Sequence, residues 1–141
     1  SCKLAKQEIR HSGWGGNGDL LTRTTGSLSF CYTGSIIFGA SYGGGCWAKG
    51  DLGWYAWVID ACYTITWKNT STYVEHHGAG DYHCDEPSTS PCDFSTPNGY
   101  FHTLRAKEYA YPSGNAYCSG SYSGAVVRTP RQVIIQGCSA A

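Results

Sequence analysis

The chain has 141 residues, ten Lys and Arg balanced by ten Asp and Glu, and eight cysteines. That length fits one domain over residues 1–141. The zero net charge lacks the basic excess of a nucleic-acid binder, and no apolar run reaches the ~18 residues of a membrane span.

The charge is unevenly distributed. Residues 51–100 carry seven acids against one base, Lys68. The first 30 residues carry Lys3, Lys6, Arg10 and Arg23 against Glu8 and Asp19. The last 41 carry Arg105, Lys107, Arg128 and Arg131 against Glu108. Basic ends around an acidic middle suit a surface that orients a protein partner.

Cys2, Cys31, Cys46, Cys62, Cys84, Cys92, Cys118 and Cys138 contain no C-x-x-C spacing, so zinc-ribbon and redox motifs are missing. An even number in so short a chain implies disulfides formed in an oxidising compartment, and so a secreted, extracellular protein. Short loops favour Cys84–Cys92 and Cys31–Cys46, with Cys2 and Cys138 tying the termini to the body. A signal peptide removed ahead of Ser1 is expected, in keeping with the absence of methionine. Asn69-Thr70-Ser71 is a glycosylation sequon, usable only in a eukaryotic source.

In chain order, Cys2–Arg10 (CKLAKQEIR) has helical composition. Residues 1–12 are expected to form a short helix or an extended N-terminal arm that carries Lys3, Lys6 and Arg10 onto an acidic partner. Gly13–Gly18 matches G-x-G-x-x-G, but no helical pattern follows as a dinucleotide site requires. It is expected to be a glycine-rich loop presenting Trp14. Ser27–Tyr32 and Ser35–Phe38 suggest strands around a tight turn at Thr33-Gly34. Ser41–Gly45 (SYGGG) is expected to be a loop, with Trp47 beyond it. Gly39–Gly43 matches G-x-S-x-G but lacks the strand-to-helix setting of a nucleophile elbow.

Trp54–Trp67 has the strongest pattern. Every odd position, Tyr55 to Trp67, is apolar or aromatic. The even positions change from Trp54, Ala56 and Val58 to Asp60, Cys62, Thr64 and Thr66. Period-two alternation means a strand with one face on the core, so Trp57, Tyr63 and Trp67 are expected inside. The change at Asp60 predicts a bend or bulge that splits the segment, with its first half buried on both faces.

Glu75–Glu86 (EHHGAGDYHCDE) holds three of the five histidines. A strand over 72–77 would put His76 and His77 on opposite faces. The remainder is expected to run as an acidic loop into the proline-rich segment Glu86–Gly99. Two chemical alternatives centre here. His77, Asp81 and His83 are candidate ligands for a divalent metal. Glu75, His77, His83 and His102, with Arg105 against an anionic transition state, are candidates for acid–base hydrolysis. Tyr100–Tyr111 alternates again, Pro112–Asn115 is a turn, and Ser121–Arg128 and Gln132–Gln136 close the chain.

These elements predict an all-β fold: a disulfide-stapled sandwich or small barrel of about seven or eight short antiparallel strands. A binding role is expected ahead of an enzymatic one. The first expectation is an adaptor or subunit that binds an extracellular protein, as in a toxin or cell-surface assembly. The second is a carbohydrate-binding domain using Trp14 and Trp47 as ring platforms. The third is a small secreted hydrolase, nuclease or toxin using His/Glu chemistry. No cofactor is expected.

Overall fold

The computed structural model describes residues 1–13, 19–49, 56–85 and 101–141. Trp14, Cys92 and the segment 86–99 lie outside the described residues. Nine strands are present among those described: β1 (Cys2–Ser12), β2 (Leu20–Tyr32), β3 (Ile37–Ala48), β4 (Ala56–Asn69), β5 (Val74–Asp85), β6 (Phe101–Ala110), β7 (Ala116–Gly124), β8 (Arg131–Gln136) and β9 (Ser139–Ala140). They form two sheets, ordered β3-β2-β1-β8 and β4-β5-β6-β7-β9. All pairings are antiparallel except β7 with β9. The all-β, sandwich-like class is as expected, and no helix is present among the described residues.

Residues 2–12 correct the expectation of a helix or free arm. They form β1, paired on one edge with β2 and on the other with β8. Its inward positions are Ala5, Gln7, Ile9 and His11, all buried. Two of these four are polar, so the alternation is invisible to hydropathy, while Lys, Ala, Gln and Glu give the segment helix-like composition.

The hairpin at Thr33-Gly34 lies where the sequence indicates. Thr33 N–H donates to Ile36 O at 3.1 Å, and its Oγ1 accepts from the Ser35 and Ile36 amides. Gly34 has φ 101°, which favours glycine. Both strands run longer than expected, and Ser41–Gly45 lies within β3 instead of forming a loop. The reason is close packing. A Cβ on Gly44 would stand 2.9 Å from Thr64 Cγ2, and one on Gly78 2.9 Å from Thr25 O. Glycines here let the two sheets approach more closely than side-chain-bearing strands allow.

β4 carries the predicted bulge, and the bulge inverts its faces. The register to β5 runs Trp57↔Cys84 and Ile59↔Tyr82, then skips Asp60 and resumes at Ala61↔Asp81, Cys62↔Gly80 and Tyr63↔Ala79. One extra residue moves the side chains from Ala61 to Thr66 to the other side, and a second register shift leaves Trp67 unpaired between Thr66 and Lys68. Trp57 is therefore buried, whereas Tyr63 is 37% and Trp67 59% exposed. The expected core role of Tyr63 and Trp67 is wrong; of the first half, expected to be buried on both faces, Trp54 and Tyr55 lie outside the described residues and Ile59 is exposed. The bulge does not split the strand. It turns Cys62 inward, where it bonds Cys46 of β3 and bridges the sheets.

The other observed bridges are Cys2–Cys31, between directly paired residues, and Cys118–Cys138. Cys31–Cys46 is thus not a pair; those residues lie on opposite edges of the β2–β3 hairpin's register, with Cys46 facing β4 across the sandwich. Cys2 and Cys138 do anchor the two terminal segments. Cys84 is also disulfide-bonded. Disulfides of this number match an oxidising environment. No helix is long and apolar enough to cross a membrane among the described residues.

Glu75–Asp85 is not an acidic loop. It is most of β5, a central strand between β4 and β6. As expected, His76 and His77 point to opposite faces. Val74, His76, Gly78, Gly80, Tyr82 and Cys84 point inward. Glu75, His77, Asp81 and His83 point outward. Along β6, the predicted alternation holds: His102, Leu104, Ala106, Glu108 and Ala110 are buried.

Candidate binding site

The two basic terminal segments meet on the outer face of the four-stranded sheet. Arg10 on β1 is directly opposite Arg23 on β2 and directly opposite Arg131 on β8. Arg23 is in turn opposite Trp47 on β3. The result is one cross-strand row, Trp47–Arg23–Arg10–Arg131, perpendicular to the strands. With strands ~4.8 Å apart it spans roughly 14 Å.

Glu8, one step along β1 on the same face, is the carboxylate that serves this row. It lies 2.7 Å from Arg10 Nη2 and 3.9 Å from Arg23 Nη1. Among the described residues Arg131 has no carboxylate within 4.0 Å. The Arg23 guanidinium also sits 5.6 Å from the Trp47 ring centroid, a cation–π contact that keeps both groups upright. Trp47 is 38% exposed. The next row along the strands is Gly45, Thr25, Glu8 and Val133, and the one beyond it is Gly43, Ser27, Lys6 and Gln136. On the β2–β3 side these rows carry only Thr25, Gly45, Ser27 and Gly43, so the side chains beside Arg23 and Trp47 are short.

Like charges placed directly opposite across strands destabilise a sheet, by ~0.2–1 kcal/mol per pair. Here two such pairs share Arg10. Of the residues singled out as binding candidates, the fold brings Lys6, Arg10 and Trp47 together on this face. Lys3 is not among them: it lies at the other side of β1 and donates to Gly114 O at 2.7 Å. Arg23 and Arg131 were missed. The basic excess at both chain ends was their only signal, and it gained meaning when β1 paired with both β2 and β8.

The outer face of the five-stranded sheet holds the candidates for chemistry. Glu75 Oε2 is 2.5 Å from His77 Nε2, and Tyr73 donates its hydroxyl to Glu75 Oε1 at 2.6 Å. The Trp67 ring stacks on His77 at 5.3 Å, and His77 is only 3% exposed. Its Nδ1 is buried with no hydrogen-bond partner among the described residues. Burial chiefly holds the His77 pKa below the ordinary value; Glu75 opposes the shift, and Arg105 and Lys107 add to it.

Asp81 instead accepts from Thr103 at 2.6 Å, and His83 Nδ1 is 2.6 Å from Asp60 Oδ1. His77, Asp81 and His83 are thus strung along one strand, ~6.8 Å apart for every two residues. Among the described residues no group of three or more His, Cys, Asp or Glu is placed to hold a metal. Of the hydrolytic set, Glu75, His77 and Arg105 share a region of this face. His83 stands further along β5.

His102 faces the interior, in a chain of hydrogen bonds. Val127 N–H donates to His11 Nε2 at 2.8 Å, which leaves the His11 proton on Nδ1. That proton is donated to Thr22 Oγ1 at 3.1 Å. The Thr22 hydroxyl then donates to His102 Nε2 at 2.8 Å, and His102 Nδ1 donates to Ala125 O at 3.1 Å. Every polar atom in the chain is paired only while both imidazoles are neutral. Burial first, and the proximity of His102 second, push His11 down to about 3; burial pushes His102 down to about 4. His102 therefore belongs to the structure of the core.

No family model, curated protein or solved structure matches this chain.

Proposed function

We propose that the protein is an extracellular binding module that docks an acidic face of a partner protein onto the outer surface of its four-stranded sheet. The observation that carries this is the row Trp47–Arg23–Arg10–Arg131. Planar guanidiniums are suited to bidentate capture of carboxylates. Trp and Arg are also the residue types that dominate binding energy at protein interfaces. The row is partly exposed, carries one carboxylate for three guanidiniums, and costs the sheet like-charge repulsion that an acidic partner relieves. Such complementary charge governs association rate and partner choice more than raw affinity.

Hydrolysis at Glu75–His77 has weaker support, because His77 lies beneath Trp67 with little exposed surface.

The test uses the whole protein and a synthetic glutamate-rich peptide, with a sulfated polysaccharide and a neutral one for comparison. The peptide is expected to bind with an affinity that falls steeply between 50 and 200 mM salt (about tenfold or more, as for other multi-charge contacts). The double variant Arg10→Ala/Arg131→Ala is expected to lose at least about tenfold in affinity, the loss of ~1.4 kcal/mol. Tighter binding of the sulfated polysaccharide would move the assignment to glycans, and no salt-dependent binding of any acidic probe would sink it.

A further inference from the structure

A second basic feature lies on the opposite side of the molecule and is built differently. Arg105 and Lys107 project from the outer face of β6. Their neighbours on β7 are short: Ser121 is opposite Arg105, Ser119 opposite Lys107, and Ser123 opposite Thr103. Long side chains on one strand beside hydroxymethyl groups on the next leave a trough. Its volume is about 230 Å³, and it is lined by Thr103, Arg105, Lys107, Ser121, Tyr122 and Ser123. β9 pairs with β7 only at Tyr117 and Cys118, so beyond those residues β7 is a sheet edge and the trough opens sideways.

The acids of this face are already engaged among the residues whose side chains are described. Glu75 is held by Tyr73 and His77, Asp81 by Thr103, and Asp60 by His83. Neither Arg105 nor Lys107 has a carboxylate within 4.0 Å among the described residues. Two cations are therefore left facing a small polar concavity. The Thr103 hydroxyl spends its proton on Asp81, which leaves its oxygen as an acceptor. Ser121 and Ser123 supply hydroxyls that donate or accept.

We infer that this trough binds the anionic group of an acidic saccharide, a sugar carrying a carboxylate or sulfate. The cations take the charge, and the serine and threonine oxygens match sugar hydroxyls in both directions. A simple inorganic anion uses only the first of these. The volume lies below the ~300–1,000 Å³ of a drug-sized pocket, which suits a single sugar unit of a longer chain.

Titration calorimetry with glucuronate, a sulfated monosaccharide, inorganic sulfate and glucose tests this on the intact protein. An acidic sugar is expected to saturate one site at least tenfold more tightly than inorganic sulfate, with glucose not saturating. Arg105→Gln/Lys107→Gln is expected to lose at least tenfold. Ser121→Gln, which fills the trough and keeps both cations, is expected to lose a similar amount. Thermal melts of each variant exclude loss of fold. Binding is also expected to raise the His77 pKa, followed by its imidazole NMR signals, because the bound anion offsets Arg105 and Lys107.

Equal affinity for sulfate and the acidic sugars would overturn the saccharide assignment. So would unchanged binding in both trough variants, or no saturable binding at all. The Arg10→Ala/Arg131→Ala variant should keep sugar binding; loss there would place the site on the other sheet. This inference therefore stands or falls separately from the protein-docking proposal.

Discussion

The carboxylate of Glu108 lies directly over the Cα of Gly26, on the facing sheet. A Cβ at position 26 would meet Glu108 Oε1 at 2.5 Å and Oε2 at 2.6 Å. A glutamate side chain on a surface would swing aside. This one is fully buried and held at both oxygens, by Gln7 Nε2 at 2.7 Å and His76 Nδ1 at 3.1 Å. Gln132 in turn donates to Gln7 Oε1 at 2.6 Å. Gly26 is therefore the space that lets a buried polar network sit between the sheets.

Gly26→Ala is expected to cost about 1–3 kcal/mol, the range for overpacking. Combined with Glu108→Ala, which removes the group it strikes, it is expected to cost at least ~1 kcal/mol less than the two single changes added together. Urea unfolding of the four proteins measures this. Simple additivity would show that the contact does not carry the cost.

Stability is expected to fall on acidification between pH 6.5 and 4. The unfolded histidines take up protons near pH 6.5, whereas His11 and His102 refuse them until about 3 and about 4. The unfolded state thus binds more protons throughout this window, so stability rises with pH across it and levels off above pH 7. At pH 5 the two residues together account for a loss on the order of 4 kcal/mol relative to pH 7.5. Glu108 acts in the other direction: burial raises its pKa, so protonating it as the pH falls offsets part of the loss. Urea midpoints measured from pH 4 to 8 check the net slope; a flat profile would contradict neutral burial of the histidine pair.

Thr22→Val removes the hydroxyl that links His11 to His102 while keeping its shape. It strands the His11 Nδ1 proton and the His102 Nε2 lone pair in the core. A loss of about 2–3 kcal/mol is expected, as for buried polar groups left unpaired. Thr22→Ser, which keeps the hydroxyl, should cost under about half of that. Equal losses in the two variants would point to packing of the methyl group and not to the hydrogen bonds.

Arg131→Gln is expected to leave stability unchanged or raise it by up to ~1 kcal/mol, because it removes one like-charge pair with Arg10. The gain should shrink in 1 M salt, where the screening length falls to ~3 Å. Denaturation curves at low and high salt report this. A clear loss of stability at low salt would mean that Arg131 has a structural role and would weaken the docking proposal.

Much of the fold is legible in local pattern. The alternation over Phe101–Ala110 reflects β6 faithfully, because Leu104, Ala106 and Ala110 face the core from one side. The turn residues Thr33-Gly34 and Pro112–Asn115 mark real reversals. The alternation fails where the inward positions are not apolar. Gln7 and His11 on β1, Thr22, Thr24 and Gly26 on β2, and His76, Gly78 and Gly80 on β5 all face inward. Burial of the polar ones is offset by partners distant in the sequence, such as Glu108 for Gln7 and His76, His102 for Thr22 and Tyr82 for Thr24, and no local signal names those partners. Residues 2–10 therefore look helical, and Glu75–Asp85 looks like a polar loop.

By itself the sequence determined the class: an all-β, disulfide-bonded chain with an irregularity at Asp60 and opposite faces for His76 and His77. These depend on side-chain period and composition, which are local. Tertiary structure alone decided which strand lies beside which. The pairing of β1 with both β2 and β8 turned basic residues more than a hundred positions apart into the row Arg23–Arg10–Arg131. The bulge at Asp60 sent Tyr63 outward and Cys62 inward to Cys46. Strand register is settled by backbone hydrogen bonds and packing between distant segments, so the surfaces that depend on it appear only once the sheets are assembled.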